Sequence, residues 1–473
     1  MRRIIAEDLD WSLATVSSLS NLCLQCIVNN FEEKPIYEEL TSSEKDFIQN
    51  RVSLSLPLHF AANVFPDGVY WKRRCEQKWK VCDVSNYGES WKRMFFERQL
   101  ENIIELFVPG ITEPKTVLDM VTLCKDHIKK LNIAQLLPPV KEPQTEDEEQ
   151  ATELTLENED DKSGMDHFDF RILLDKLTNL EELHLVYKVK SCGMNFEWSM
   201  FEMTNRDCES LAKALKSCKT LKLFRLHLSH LEDKKCRLLV KYLLDHPSLR
   251  TLDFSHNVIG DSGARAIGKL LTKSKLEILN LYDNNIGGPG AKAIAHALSK
   301  NTTLVSLNLC LNRLNDEGGQ AICKALLNNK TLLHLQLGAN GVTWLTALSL
   351  SSVLAQNNTL KSINLSCNTL GECCILHLEA RATKKVNPLC HLGGYCHRGL
   401  VKTTSGSSMR PSFHVGGNAL EEAMSHNTSV TECNIHLTDI EERKVSVINQ
   451  MVWNNQFRKQ ETSPREKNTE NAN

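Results

Sequence analysis

The sequence predicts an α/β solenoid preceded by a small, mainly helical N-terminal domain. Three observations carry that prediction. A frame of apolar residues and one asparagine recurs every 27 or 28 residues. The stretch after each frame has helical spacing. Residues 1–137 contain no such frame. A chain of 473 residues implies several compact units or one elongated array, and a fixed period favours the array.

The frame reads Leu249, Leu252, Phe254, Asn257, Ile259 and returns with Leu276, Leu304, Leu332 and Leu360 as its first residue. Earlier units begin at Leu221, with Ser229 in the asparagine place, and at Leu180. The Leu-x-x-Leu-x-Leu part is a short strand with alternate leucines inward. Strands of successive units pair in parallel, so each unit closes its neighbour's core. The asparagine ends the strand and offers its amide to backbone groups freed by the turn. Ala264, Ile267, Leu270 and Leu271, like Ala291, Ile294, Ala295 and Leu298, follow at helical spacing. Gly263, Gly290 and Gly318 read as tight-turn residues ahead of these helices. Such leucine-rich repeats resemble the ribonuclease-inhibitor subtype, which stacks into a horseshoe with strands on the concave side. A partner would meet the outward strand positions on the concave face: Asp253, His256, Tyr282, Asp283, Asn308, Gln336 and Asn364, with Ser255, Asn280, Cys310 and Ser366 among them. Mostly neutral, they do not suit a phosphate backbone.

The repeat domain is expected over 165–440, with two interruptions. Leu180 to Leu221 is 41 residues, and the extra piece at about 186–207 holds Phe196 and Trp198, candidates for a partner contact. A second insertion, at about 374–416, has no periodicity and is expected to be a loose loop. Asn418–Met424 and Val430, Cys433, Ile435 then resemble a last degenerate repeat. A capping helix over 441–460 and a polar tail over 461–473 complete the chain. Upstream, 138–164 is a linker: Glu142 to Asp161 holds 10 acidic residues and no basic one.

In the N-terminal domain, helical patterns fall near Asp10–Asn29, Ser42–Leu54 and Trp91–Phe107, with Ser90 as an N-cap. Gly68 to Arg98 carries 8 Lys/Arg against 4 Asp/Glu and 3 of the 7 tryptophans. Trp71, Lys72, Arg73, Arg74, Trp79, Trp91, Lys92 and Arg93 fit two readings. They pack a helical domain with solvated charges, or they anchor an acidic partner such as a tubulin surface.

The net charge of −2 gives no global attraction to nucleic acid or membrane. Met1–Asp10 has no apolar leader and no apolar run reaches membrane length, so a cytosolic or cytoskeletal protein with reduced cysteines is expected. Asn301, Asn329, Asn357 and Asn427 begin Asn-x-Ser/Thr triplets and read as turn residues. Cys373, Cys374, Cys390, His391, Cys396 and His397 have zinc-ligand types without a zinc-knuckle spacing, so no metal is expected. No catalytic or nucleotide-binding motif occurs, and no cofactor or enzymatic activity is expected.

The stretches Tyr70-Trp71-Lys72-Arg73-Arg74-Cys75, Lys78-Trp79-Lys80-Val81-Cys82, Tyr87-Gly88-Glu89-Ser90-Trp91-Lys92-Arg93-Met94-Phe95-Phe96 and Phe107-Val108-Pro109-Gly110 are the specific ones. They resemble the T-complex-associated testis-expressed family, the leucine-rich-repeat subunit of the nexin–dynein regulatory complex. The helical region, acidic linker, 28-residue repeats and final helix fit over most of the chain, while 374–416 departs from the pattern. The resemblance implies a non-catalytic scaffold of the ciliary and sperm-flagellar axoneme. Its partners would be other subunits of that complex, and it would help regulate dynein-driven motility. On the repeats alone, a GTPase-activating protein or a ligand-clamping inhibitor are the alternatives.

Overall fold

The computed structural model describes residues 18–139, 166–371 and 415–462. The expectations for most of the acidic linker, for nearly all of the second insertion with its Cys/His set, for Asp10–Ser17 and for most of the polar tail lie outside them. Compactness divides the chain into two units. The first takes in 1–104, 113–131 and 176–179; the second takes in 105–112, 132–175 and 180–473. The division thus departs from the expected boundary after 137. The cause is local to the second unit: Glu105 accepts from the Ala134 N–H and Lys190 Nζ, both at 2.8 Å, and Phe107 packs edge-on against Phe168.

The first unit is helical: α1 Leu19–Asn29, α2 Ser42–Arg51, α3 Leu58–Val64, α4 Val69–Lys78, α5 Trp91–Glu105 and α6 Pro114–Cys124. Its starts are chemically marked. Thr41 and Glu44 form a capping box, and Ser90 Oγ accepts the Arg93 N–H at 3.1 Å. The core is aromatic. Phe31 stacks on Phe65 at 5.3 Å, Phe65 on Tyr70 at 4.2 Å, and Trp71 meets Phe95 and Phe96 at 5.2 and 5.1 Å.

Among the described residues a nine-stranded sheet runs in strict chain order, eight of its strands wholly within the second unit. After β1 Lys130–Ile133 and β2 Glu182–Leu185 come α7 Asn205–Ser217, β3 Leu223–Leu226, α8 Asp233–Leu243, β4 Thr251–Asp253, α9 Asp261–Lys273 and β5 Ile278–Asn280. Next are α10 Gly288–Leu298, β6 Ser306–Asn308, α11 Asn315–Asn328, β7 His334–Gln336, α12 Trp344–Leu354 and β8 Ser362–Asn364. Last are α13 Val415–His426, β9 Glu432–Asn434 and α14 Glu442–Thr462. From β2 on, neighbours pair in parallel, and Leu252, Leu279, Leu307, Leu335 and Ile363 align in one buried row. β9 joins β8 in the same register although the second insertion lies between them. The cap runs Glu442–Thr462 rather than 441–460.

Two ladders of buried amides bind the repeats. Asn257, Asn284, Asn312, Asn340 and Asn368 each donate to a strand carbonyl of the preceding repeat, at 2.8 to 3.0 Å. The residue before each is left-handed, from His256 (φ 54°) and Asp283 (φ 54°) to Leu311 (φ 55°), Ala339 (φ 52°) and Cys367 (φ 57°). A side chain there costs about 1 kcal/mol or more, which the amide bonds offset. The second ladder is Asn301, Asn329, Asn357 and Asn427, the first residues of the four triplets. Their amides donate to Leu271, Leu298, Leu326 and Leu354 carbonyls, so they are interior turn residues.

Gly263, Gly290 and Gly318 lie inside the first turns of α9, α10 and α11, not ahead of them as expected. Their role is close approach. A Cβ on Gly290 would stand 2.6 Å from Asp261 Oδ1, which accepts the Gly287 and Gly290 N–H groups. Asp233 does the same for Gly260 and Gly263. One carboxylate thus caps the helix of the following repeat.

Candidate partner-docking cleft

Where the strands end, the left-handed turn carries its side chain outward once per repeat. Leu228, His256 and Asp283 occupy this position in successive repeats, and their backbones are laddered: Leu228 N–H to His256 O at 3.0 Å, Asp283 N–H to Cys310 O at 2.9 Å. His256 N–H likewise reaches Tyr282 O at 2.8 Å. Leu228 is 46% exposed, a large apolar side chain held out by the backbone.

The first insertion stands beside this row. It forms two single turns, Gly193–Asn195 and Trp198–Phe201, with Phe196 between them. Phe196 packs on Phe201 at 5.4 Å yet is 46% exposed. Between insertion and turns lies an open cleft of about 750 Å³, lined by Lys188, Phe196, Leu228, His230, His256 and Asp283 among others. The structure thus brings together one residue of the expected loop contact and two of the expected concave set. Trp198 heads the second turn; its side chain is outside the described ones.

The charges in the cleft are largely spoken for. His256 Nδ1 is 2.8 Å from Asp283 and its ring meets Tyr282 edge-on at 5.0 Å. Among the described residues His256 is thus engaged by Asp283 and Tyr282, with no Ser, Thr or Cys hydrogen-bonded to it. Glu202, His230 and Glu232 bring their ligand atoms within 4.8 Å of one another. The positive charge there is Lys235, buried, 2.8 Å from Glu202 and 3.3 Å from Glu232. The group is a salt-bridge cluster built around its own lysine.

The remaining concave residues do work for the fold. Asn308 and Asn364 each accept the N–H two residues on, at 3.0 Å. So do Asn280 and Asn434, and Asp253 takes the Ser255 N–H at 3.0 Å and Arg225 Nε at 2.8 Å. Asp253 is buried rather than presented; burial raises its pKa, but Ser255 and Arg225 outweigh that and hold it below the ordinary value. Gln336 and Tyr282 are half-buried on the strand face. His227 is held below the ordinary histidine value, by burial first.

Most of the N-terminal set is likewise engaged within the chain. Trp71 is fully buried, its Nε1 donating to Phe65 O at 3.3 Å. Arg73 donates to Gln49 O and Val52 O at the end of α2, Arg74 to Leu56 O, and Lys92 to Ala62 O and Phe65 O at the end of α3. Arg93 holds buried Glu97 at 2.8 Å. Trp79 and Trp91 are half-buried under Arg98 and Lys72, leaving Lys72 as the exposed member of the set. The basic groups neutralise helix ends and carbonyls, which favours the packing reading over an anchor. The sequence reading missed Lys188, Leu228 and His230. The signal was available for Leu228: an apolar residue just before the asparagine position has nowhere to go but outward.

Among the described residues no helix is long and apolar enough to cross a membrane. A family model described as "Leucine Rich repeat" matches residues 245–268, 272–295, 300–323 and 356–372. Dynein regulatory complex subunit 5 of Macaca fascicularis is 47% identical over 307 residues, 65% of this chain and 61% of that protein. The proteins of that name from Mus musculus and Homo sapiens are 48% and 46% identical over 269 and 270 residues. Each of these matches takes in 57% of this chain and 54% of the relative. The chain therefore spans between about half and three fifths of the length of these relatives.

Proposed function

Because this chain belongs to the leucine-rich-repeat family of dynein regulatory complex subunit 5, we propose that it serves as a non-catalytic scaffold subunit of that complex in the axoneme of cilia and flagella. In this reading it helps couple dynein-driven sliding to motility through protein contacts alone. Its partners are other subunits of the complex, with tubulin of the doublet as a further acidic surface. The observation that carries the reading is the 47% identity over 307 residues. The cleft supports it, because it offers exposed Phe196 and Leu228 beside the His256–Asp283 pair. Such a surface suits an apolar anchor from a partner.

The test is proximity labelling from the tagged full chain in a multiciliated cell, read with its localisation. Enrichment of regulatory-complex subunits along the axoneme is the expected result. Recovery of cytosolic proteins only would sink the reading. A parallel turnover assay should find GTP hydrolysis unchanged by the purified protein.

A further inference from the structure

We propose that the edge of the solenoid where helices end and strands begin binds a strongly acidic, extended polypeptide segment. This edge is remote in the repeat from the cleft, which lies where strands end and helices begin. It collects residues 216–222, 241–250, 269–277, 297–305, 324–333 and 353–361. Twelve of these are Lys or Arg, and only Asp245 and Glu277 are acidic. In a chain of net charge −2 that is a strong local excess. The opposite edge carries Glu202, Glu232, Asp233, Asp261, Asp316 and Glu317 interspersed with Arg206, Lys234, Lys235 and Arg313, so it has no matching basic excess.

Helix dipoles account for part of the row. Lys216, Lys241 and Lys273 sit in the last turns of α7, α8 and α9, where a cation is favoured. They do not account for Lys219, Lys275, Lys300 and Lys330, which lie past the helix ends and are exposed. Pairing within the chain does not account for them either. Glu181 takes Lys222 at 2.9 Å and Glu277 takes Arg250 at 3.4 Å. Among the described residues no carboxylate lies within ion-pair distance of Lys216, Lys241, Lys273, Lys275, Lys324 or Lys330. Unpaired cations along one edge attract a linear polyanion.

The chemistry favours a polypeptide over a nucleic acid. The sole guanidinium of the edge, on Arg250, is engaged by Glu277. Its one aromatic, Tyr242, is half-buried with the Lys216 and Lys241 ammonium groups 6.0 Å from its ring, so no platform is free for base stacking. Neighbouring strands set repeats about 5 Å apart and the helices behind them about 10 Å apart. That brackets the roughly 7 Å between alternate side chains of an extended chain. The inference rests on the reading above only in taking the partner to be a protein.

The test uses the full chain and a fluorescein-labelled 16-residue oligoglutamate peptide, with a 16-base-pair DNA duplex and phosphatidylserine vesicles as competitors. One variant carries Lys273→Glu, Lys275→Glu, Lys324→Glu and Lys330→Glu. A control carries the same charge change on the first unit, Lys34→Glu, Lys80→Glu, Lys115→Glu and Lys125→Glu. The expected result is salt-sensitive peptide binding that weakens at least tenfold in the edge variant and less than twofold in the control, with both variants melting cooperatively within a few degrees of the parent chain. No binding by the parent chain overturns the proposal. So does equal loss in both variants, or tighter binding of duplex or vesicle than of peptide. Failure here leaves the axonemal reading to its own test, since localisation is a separate readout.

Discussion

Asn308 and Asn312 are the same residue four positions apart, and the structure assigns them different energetic weights. Asn312 is buried; it donates to Leu281 O at 2.9 Å and Leu309 O at 3.0 Å and accepts the Ile286 N–H at 3.0 Å. In Asn312→Ala the two carbonyls keep a second partner, because Asn284 also reaches Leu281 O and Asn340 also reaches Leu309 O. The Ile286 N–H keeps none, and its residue is fully buried. An orphaned buried donor costs about 1–3 kcal/mol and each lost bond roughly 0.5–1.5 kcal/mol, so a loss of about 2–4 kcal/mol is expected. The left-handed turn at Leu311 loses its compensation at the same time. Asn308→Ala gives up one bond, from the Cys310 N–H, on the half-exposed strand face, so about 1 kcal/mol or less is expected. Guanidinium unfolding followed by far-ultraviolet circular dichroism reads both, as midpoint shifts at constant slope. Equal shifts would refute the assignment, as would an Asn312→Ala loss below about 1 kcal/mol.

Other consequences are equally direct. Gly290→Ala should cost about 2–3 kcal/mol in the same assay, because its Cβ would sit 2.6 Å from Asp261 Oδ1 and 2.9 Å from Ile286 Cγ2. Asp253 titrates below its ordinary value when folded, so its contribution is present above the unfolded carboxyl value and lost as pH falls through the folded one. Asp253→Asn should therefore flatten the acid limb of a stability–pH curve, and an unchanged limb would contradict the assignment. A thiol reagent on the native chain should modify exposed Cys23, Cys26 and Cys367 quickly and spare Cys236 and Cys323; burial pushes the Cys323 thiol up to about 12. Peptide mapping after a short pulse checks the order. Phe196→Ala with Leu228→Asp should leave the melting temperature within a few degrees while reducing recovery of regulatory-complex subunits by affinity purification. Unchanged recovery would remove the cleft from the docking surface.

The solenoid was legible because its period is written in residues that can have only one environment. Leu252, Leu279 and Leu307 must be inside, and Asn257, Asn284 and Asn312 must find backbone partners. The glycines were misplaced because nothing in one repeat reveals that Asp261 of the previous one reaches their N–H groups. The basic tryptophan segment was ambiguous for a related reason. A lysine or arginine looks the same in sequence whether it meets a partner or, as Arg73 and Lys92 do, a helix end 20 to 30 residues away in the same chain. The cleft needed Phe196 and His256 side by side, and only the stacking of successive repeats supplies that proximity. Helix α4 carries a short apolar pattern that the aromatic core around Tyr70 and Trp71 stabilises, whereas α6 buries Val117, Met120, Val121 and Cys124 at helical spacing and was legible.

The amide ladder ends in an unexpected way. Past Asn427 the next amide is not a turn asparagine of another repeat but Asn455 of α14, which donates to Asn427 O and Val430 O at 2.9 Å. The hydrogen-bonding grammar of the array therefore closes on a helix face instead of a strand. A terminus that speaks the same grammar as the units it stops is modular: repeats can be gained or lost between Leu221 and Leu360 without redesigning the end. Array length, and with it the span a scaffold bridges, becomes a variable that evolution or an engineer can tune independently of the cap.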